Sequence, residues 1–89
     1  MSARVEVYFT TYCGYCRRAM RLLDSKGVAY ERFDVTSNPP KRTWLREVTG
    51  RRTVPQIFIN GRSVGGSDEI HALDAAGRLD DMLAEEPVG

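Results

Sequence analysis

The chain has 89 residues, of which 42% are hydrophobic and 28% charged, and this length is typical of a single small domain over residues 1–89. Thirteen basic and twelve acidic residues leave a formal net charge of +1, so the charge balance gives no reason to expect binding to nucleic acid or to an anionic membrane. No apolar run is long enough for a signal peptide or a transmembrane helix, and we therefore expect a cytoplasmic protein in a reducing compartment.

The first part of the chain predicts a parallel β-α-β unit. Apolar residues alternate at positions 4–9, which predicts a strand with Tyr8 on one face. The opposite face carries Val5, Val7 and Phe9. A helix is predicted from Gly14 to about Lys26 because apolar residues then recur at helical spacing. Its inward stripe consists of Cys16, Ala19, Met20 and Leu23. Residues 28–35 predict a second strand, which the helix joins to the first in parallel.

A second helix is predicted to start after Asn38, which is a favourable N-cap residue, with Pro39 at the first helical position. Gly50 is expected to end it. The predicted buried stripe of this helix consists of Trp44, Leu45 and Val48. Residues 56–59 predict a third strand. We expect three large side chains at helical spacing to be core residues: Met20, Trp44 and Met82.

The last part of the chain predicts a hairpin and two more helices. Asn60-Gly61 is a strong hairpin signal, so the strand at residues 63–64 should run antiparallel to the third strand. Gly65-Gly66-Ser67-Asp68 is predicted to open a third helix that runs to about Ala76, followed by a short helical segment around residues 79–83 and a fraying tail at 85–89. These elements predict an α/β fold with a four-stranded mixed sheet and helices on both faces.

The two cysteines, Cys13 and Cys16, are separated by two residues at the predicted turn between the first strand and the first helix. A zinc site needs four ligands, and the chain offers only this pair and a single histidine, His71. An inert disulfide would close so small a ring that it would stabilise the fold weakly. The pair therefore predicts a catalytic dithiol–disulfide centre with no metal.

The position of each cysteine in the predicted helix indicates a different role for each thiol. Cys13 lies at the start of the helix, where the N–H groups of Tyr15 and Cys16 and the positive end of the helix dipole favour an anion. Thiols in such positions have pKa values of roughly 3.5–7.5 instead of about 8.5. We therefore expect Cys13 to be the exposed nucleophile and Cys16, inside the first turn, to be the resolving thiol.

Three motifs in this order resemble the glutaredoxins, and in particular the small bacterial dithiol type. They are Cys13-Gly14-Tyr15-Cys16, Thr53-Val54-Pro55 and Gly65-Gly66-Ser67-Asp68. The resemblance covers nearly the whole chain and implies a thioredoxin fold, a cis peptide bond before Pro55 and glutathione-dependent disulfide reduction. It further implies a monomer whose partners are glutathione and disulfide-bearing or glutathionylated proteins.

The resemblance also implies a glutathione site. The free backbone edge of Val54 would pair with the cysteinyl part of glutathione. Ser67 and the N–H of Asp68 would take the γ-glutamyl carboxylate, while the Asp68 side chain would cap the helix and bind the amine. Either Arg51 or Arg52 would hold the glycyl carboxylate. The predicted glutathione-binding residues are Tyr15, Arg51, Thr53, Val54, Pro55, Gly66, Ser67 and Asp68.

Two positions depart from the family pattern. Gly14 stands where many glutaredoxins have proline, and Thr10 stands where a lysine is common. The first change leaves room for an alternative, a dimer that carries a [2Fe–2S] cluster, although no tightly bound cofactor is expected. The second permits a low-molecular-weight thiol other than glutathione. A further alternative is a thioredoxin-like reductant that receives electrons from a flavoprotein reductase.

Overall fold

Strands and helices alternate along the chain in a computed structural model that describes residues 2–87. The elements, in chain order, are β1 (Val5–Phe9), α1 (Gly14–Ser25), β2 (Glu31–Asp34), α2 (Pro39–Thr49), β3 (Gln56–Ile59), β4 (Arg62–Gly65), α3 (Ser67–Ala75) and α4 (Leu79–Ala84). Each predicted element is present. Strand β2 is shorter than predicted at both ends, since it begins at Glu31 and not at Val28 and ends at Asp34 and not at Val35.

The four strands form one mixed sheet in the order β2-β1-β3-β4. Strands β1 and β2 are parallel, with Val7 opposite Arg32, whereas β1 and β3 are antiparallel, with Val7 opposite Ile57. Strands β3 and β4 form the predicted antiparallel hairpin. Both residues of its turn have positive φ, 51° at Asn60 and 80° at Gly61, as a two-residue hairpin turn requires. The predicted mixed sheet is confirmed.

Helices cover both faces of the sheet, as predicted. On one face, apolar residues of β1 and β3 pack against α1, α3 and α4 through Ala19, Leu23, Ile70, Leu79 and Leu83. The other face carries a smaller cluster of Tyr8, Val35, Leu45 and Phe58, which α2 covers. Alternation along β1 therefore places Val7 in the first core and Tyr8 in the second.

The predicted buried stripe of α2 is wrong at two of its three positions. Leu45 is buried, but Trp44 is 37% exposed and Val48 is 49% exposed. Leu45 faces the sheet, whereas Trp44 lies at the flank of the helix. One side of the Trp44 ring packs near Tyr8 and the Lys41 ammonium lies 4.6 Å from the ring centroid. Trp44 thus covers the edge of the core without entering it. Met20 and Met82 are partly buried against the first core.

Strand direction brings three connections to the same end of the sheet. The end of β1 leads into α1, and Tyr8 in β1 pairs with Gln56 at the start of β3. Ile57 in turn pairs with Gly65, the last residue of β4, which leads into α3. The loops before α1, β3 and α3 therefore converge.

At the other end, the Glu85 carboxylate pairs with Arg62 and the Glu85 carbonyl accepts a hydrogen bond from the Asn60 side chain. The predicted fraying tail includes residues 88–89, which lie outside the described residues. Among residues 2–87, no helix has the length and apolar character needed to cross a membrane.

Candidate active site

Cys13 is the N-cap residue of α1, where the sequence places the nucleophile. Its extended backbone, with φ −97° and ψ 114°, turns Sγ toward the first turn of the helix. The backbone N–H of Cys16 donates to Sγ over 3.3 Å, and the thiol in turn donates to the carbonyl of Val54 over 3.5 Å. Of the two N–H groups expected to donate, that of Cys16 does so. The Cys13 side chain is half-buried, so one side of the sulfur remains accessible.

Cys16 occupies the opposite environment. Its side chain is fully buried on the core-facing side of α1. Burial, followed by the hydrogen bond with Cys13, raises the pKa of the Cys16 thiol to about 12, although backbone and side-chain groups of Thr10 act in the other direction. Cys16 is therefore a neutral thiol at physiological pH and reacts only when a base or leaving group takes its proton. Both cysteines are free thiols in this structure.

The loop before β3 forms the wall facing Cys13. The peptide bond between Val54 and Pro55 is cis, as the resemblance implies. Gln56 is fully buried, and its side-chain amide donates to the carbonyl of Thr53 over 2.9 Å. Gln56 thus ties the loop to the sheet and fixes the backbone of Val54 beside the sulfur. No role was predicted for this glutamine from the sequence.

The start of α3 forms the second wall, and here the predicted cap is wrong. The N-cap residue is Gly66, so Asp68 lies inside the first turn and does not cap the helix. The Asp68 carboxylate instead accepts a hydrogen bond from Arg18 of α1 over 3.1 Å and is mostly exposed. Ser67 is buried, and its hydroxyl has no hydrogen-bond partner within residues 2–87. The hydroxyl therefore lacks the hydrogen bond that a buried polar group normally makes.

The two walls enclose an open cleft of about 170 Å³ next to Cys13. It is lined by Tyr15, Arg51, Thr53, Val54, Pro55, Gly66, Ser67, Asp68 and Glu69. All eight residues predicted to bind glutathione thus line one cleft, together with one residue that was not predicted. Tyr15 is 63% exposed at its rim, where a flat ring can contact a bound peptide.

Glu69 is the residue that sequence reasoning missed. Its Oε1 atom accepts hydrogen bonds from the backbone N–H of Gly66 over 2.8 Å and from the guanidinium of Arg51 over 2.5 Å. The Gly66 N–H and, second, Arg51 lower the pKa of the Glu69 carboxyl below its ordinary value. Glu69 therefore joins the two walls of the cleft. An acidic residue three positions after the N-cap is a sequence signal for such a contact. It points to Glu69 only when Gly66, and not Asp68, is the N-cap.

Two further residues lie apart from the cleft. Arg52 points away from it and lines a second cleft on the α2 side of the molecule, so of the two candidate arginines only Arg51 lines the cleft beside Cys13. Thr10 is almost fully buried beside Cys16. Within residues 2–87, no group of three or more histidine, cysteine or acidic side chains is arranged to hold a metal ion.

Comparison with known proteins supports the same interpretation of the cysteine pair. The glutaredoxin family model matches residues 5–64. Glutaredoxin 3 of Escherichia coli strain K12 is 47% identical over 81 residues, which cover 91% of this chain and 98% of that protein.

Solved structures agree with the sequence match. The crystal structure of a buckwheat glutaredoxin–glutathione complex superposes with a TM-score of 0.85 and 34% identity, covering 91% of this chain and 76% of that chain. The holo form of glutaredoxin C1 from Populus tremula x tremuloides gives a TM-score of 0.87 and 33% identity, covering 99% and 86%. The fold is therefore the thioredoxin-type fold of these proteins.

Proposed function

The chain belongs to the glutaredoxin family of glutathione-dependent disulfide oxidoreductases, and from this premise we propose that it reduces glutathione mixed disulfides and protein disulfides through Cys13 and Cys16. The observation that carries the proposal is the cleft beside the Cys13 sulfur, which gathers every residue that the resemblance assigns to glutathione. The glutathione-bound state of the buckwheat relative supports the same ligand.

Glutathione fits the cleft by its chemistry. Its cysteinyl part is a short extended peptide that can pair with the free backbone of Val54. The γ-glutamyl carboxylate would meet the first turn of α3, where the buried Ser67 hydroxyl lacks a partner and the Asp68 N–H is free of intrahelical bonds. The γ-glutamyl amine would lie at the Asp68 carboxylate, and the glycyl carboxylate at Arg51. Binding the amine requires Asp68 to share or exchange its pairing with Arg18.

The reaction with a glutathione mixed disulfide needs only Cys13. The Cys13 thiolate attacks the glutathionyl sulfur, a Cys13–glutathione disulfide forms, and the substrate sulfur leaves as a thiolate that takes a proton. A second glutathione thiolate then attacks the glutathionyl sulfur of this adduct. That step releases oxidised glutathione and restores the Cys13 thiolate. The half-exposed position of Cys13 suits both attacks.

Reduction of a protein disulfide uses both cysteines. Cys13 attacks one sulfur of the substrate to form a mixed disulfide, and the other substrate sulfur leaves as a thiolate. Cys16 then gives up its proton and attacks Cys13 Sγ, so the Cys13–Cys16 disulfide forms and the second substrate thiol is released. The 3.3 Å contact between the Cys16 N–H and Cys13 Sγ places the two cysteines within one turn of each other. Glutathione then reduces the new disulfide.

The choice of electron donor tests the proposal against a thioredoxin-like reductant. Turnover of a small glutathione mixed disulfide is measured with glutathione, glutathione reductase and NADPH, and in parallel with a thioredoxin-type flavoprotein reductase and NADPH. We expect turnover in the first assay and little in the second, because the polar groups that line the cleft beside Cys13 suit both ends of a γ-glutamyl peptide. Turnover only in the second assay would replace the proposed donor, and a different thiol in place of glutathione can be screened in the same format.

We also propose that the protein acts as a cytoplasmic monomer without a tightly bound cofactor. Each chain has one accessible cysteine, Cys13, because Cys16 is buried, whereas an iron–sulfur cluster needs four ligands. A cluster would therefore require two chains and two glutathione molecules, with Cys13 as the protein ligand. Visible absorption of anaerobically purified protein, combined with its molar mass in solution, tests this alternative. A coloured dimer that contains iron and sulfide would establish it, and a colourless monomer with full activity would support the proposal.

A further inference from the structure

We propose that a second cleft, here called the arginine cleft, binds an acidic segment of the protein substrate beside the disulfide that Cys13 attacks. The arginine cleft has a volume of about 320 Å³ and is lined by Arg42, Arg46, Arg52, Thr36, Pro39 and Thr43. This inference rests on the proposed function and concerns which proteins the enzyme selects. Its basis is the chemistry and position of three guanidinium groups on one open surface.

The arginine cleft borders the active-site loop on two sides. Thr36 lies in its wall, and the Thr36 hydroxyl oxygen accepts a hydrogen bond from the backbone N–H of Thr11 over 3.0 Å. Thr11 is two residues before Cys13. On the other side, Arg52 lines the arginine cleft while Arg51 and Thr53, its neighbours in the chain, line the glutathione cleft. A peptide chain bound through a disulfide at Cys13 therefore passes close to the arginine cleft.

No carboxylate of residues 2–87 forms an ion pair with the three arginines. Arg4, Arg18, Arg51 and Arg62 form ion pairs, whereas within residues 2–87 none is formed by Arg42, Arg46 or Arg52. Arg42 is half-buried, and the other two are exposed. Guanidinium groups bind carboxylates through paired N–H donors, so an unpaired cluster of three is suited to acidic side chains.

The charge distribution of the whole chain supports an acidic partner at this face. Residues 36–55 contain five basic residues and one acidic residue, whereas residues 74–86 contain five acidic residues and one basic residue. The net charge of +1 is therefore distributed unevenly, with basic residues concentrated in the segment that leads to Val54 and acidic residues towards the end of the chain, and this gives the molecule an uneven electrostatic field. Such a field steers and orients a substrate with acidic residues near its disulfide, which affects encounter rate and specificity more than the chemical step.

Two glutathionylated peptides of equal length test the inference. In one, the modified cysteine is flanked on each side by two glutamates; in the other, the glutamates are replaced by glutamines. At low ionic strength we expect kcat/KM for the acidic peptide to exceed that for the amide peptide by about threefold or more. The preference should shrink as salt is added, because exposed charges are screened. Arg46→Glu should remove or reverse it, and Arg46→Ala should reduce it.

Turnover of a small glutathione mixed disulfide by the same variants separates this inference from the proposed function. Arg46 lies outside the glutathione cleft, so this turnover should stay near the wild-type value. Arg78→Glu makes the same charge change on an exposed residue of the acidic segment 74–86 and should keep the preference for the acidic peptide. The inference is overturned by equal rates with both peptides, by an equal loss of preference in Arg78→Glu, or by a matching loss with the small substrate in Arg46→Glu. Failure of wild type on the small substrate would instead refute the proposed function.

Discussion

The backbone N–H of Cys16 donates a hydrogen bond to the sulfur of Cys13 over 3.3 Å, although the Cys16 side chain itself points into the core. One residue thus contributes to the active site in two ways. Its backbone N–H holds the accessible sulfur of Cys13 at the start of α1. Its own thiol is buried within the same helical turn and is the proposed resolving thiol. The pair is chemically unequal even though the two cysteines are only three positions apart.

This inequality predicts different losses when each cysteine is replaced by serine. Cys13→Ser should abolish turnover of a small glutathione mixed disulfide, because no other accessible thiolate is present to attack. Cys16→Ser should retain a good part of that turnover, because glutathione can resolve the Cys13 adduct. The same variant should lose most of its activity on a protein disulfide, which needs the second thiol. Steady-state kinetics on the two substrates checks both, and an active Cys13→Ser with an inactive Cys16→Ser would reverse the assignment.

The pKa of about 12 for Cys16 predicts selective alkylation. Thiolate is the reactive species, and a thiol with a raised pKa remains protonated until the pH approaches that value. Native protein treated with iodoacetamide at pH 8 should therefore carry one adduct, on Cys13, by peptide mass spectrometry. Unfolding in urea should expose Cys16 and give two. Reaction of both thiols at similar rates in the native protein at pH 8 would contradict the buried, neutral state of Cys16.

The sequence was sufficient to predict the chemistry of this pair and the order of the elements. Helix caps, hairpin residues and period-two or helical spacing are local signals, and they placed β3 at Gln56–Ile59 without error. Trp44 and Val48 show where such signals end. Val48 lies four positions after Trp44 and three after Leu45, so helical spacing groups all three, but only Leu45 is buried, where it packs with Tyr8 and Phe58 of the sheet. Which side of α2 meets the sheet depends on packing between segments that are distant in the chain.

The role of Glu69 was beyond sequence reasoning for a similar reason. Its contact with Arg51 joins residues 18 positions apart and exists only because the loops before β3 and α3 converge. Asp68 shows a local signal that was misleading. Its residue type suits a helix cap, but Gly66 is the N-cap, and the Asp68 carboxylate instead pairs with Arg18, 50 positions away. Local preference predicted a plausible role, and the tertiary contact determined the actual one.

Glu69→Gln is expected to weaken glutathione binding without changing the chemical step. The glutamine can still accept from the Gly66 N–H but no longer carries the charge that holds Arg51. Loss of one charge-assisted contact should raise KM for a glutathione mixed disulfide roughly two- to fivefold, with kcat nearly unchanged. Glu31→Gln, at an exposed position of β2, is the matched control and should leave KM unchanged.

Acid unfolding gives a second measurement on the same variant. The Gly66 N–H and Arg51 hold the pKa of Glu69 below its ordinary value, so the ionised carboxylate stabilises the folded protein above the unfolded-state pKa of about 4.3. That contribution is lost as the pH falls through the lower, folded-state pKa. Wild type should therefore lose more stability than Glu69→Gln between neutral pH and pH 3. Identical acid transitions, or an unchanged KM, would remove the positioning role of Glu69.

Gly65 supports the same contact by leaving space for it. It has φ of +93°, and a Cβ there would lie 2.7 Å from Cγ of Glu69. Gly65→Ala should therefore displace Glu69 and also incur the cost of a left-handed backbone, about 1–3 kcal/mol. Gly27→Ala is the control, because Gly27 has φ of +67° but a Cβ added there would meet no atom within 4 Å. Thermal unfolding should show both variants destabilised, Gly65→Ala more so, and only Gly65→Ala should raise KM. Equal effects would mean that backbone strain alone is responsible.

Gly14→Pro is expected to stabilise the fold, since the backbone at position 14 and at the preceding residue already suits proline. Gly14 is the first residue of α1, where the N–H has no intrahelical acceptor and proline is favoured. Cys13 before it has φ −97° and ψ 114°, the extended conformation that a residue preceding proline prefers. Reduced freedom of the unfolded chain should add about 0.4–1 kcal/mol, or roughly 2–8 °C in Tm. Gly61→Pro is the control and should lower Tm, because φ of +80° is inaccessible to proline. A fall in Tm for Gly14→Pro would show that α1 relies on a backbone freedom at its first residue that proline removes.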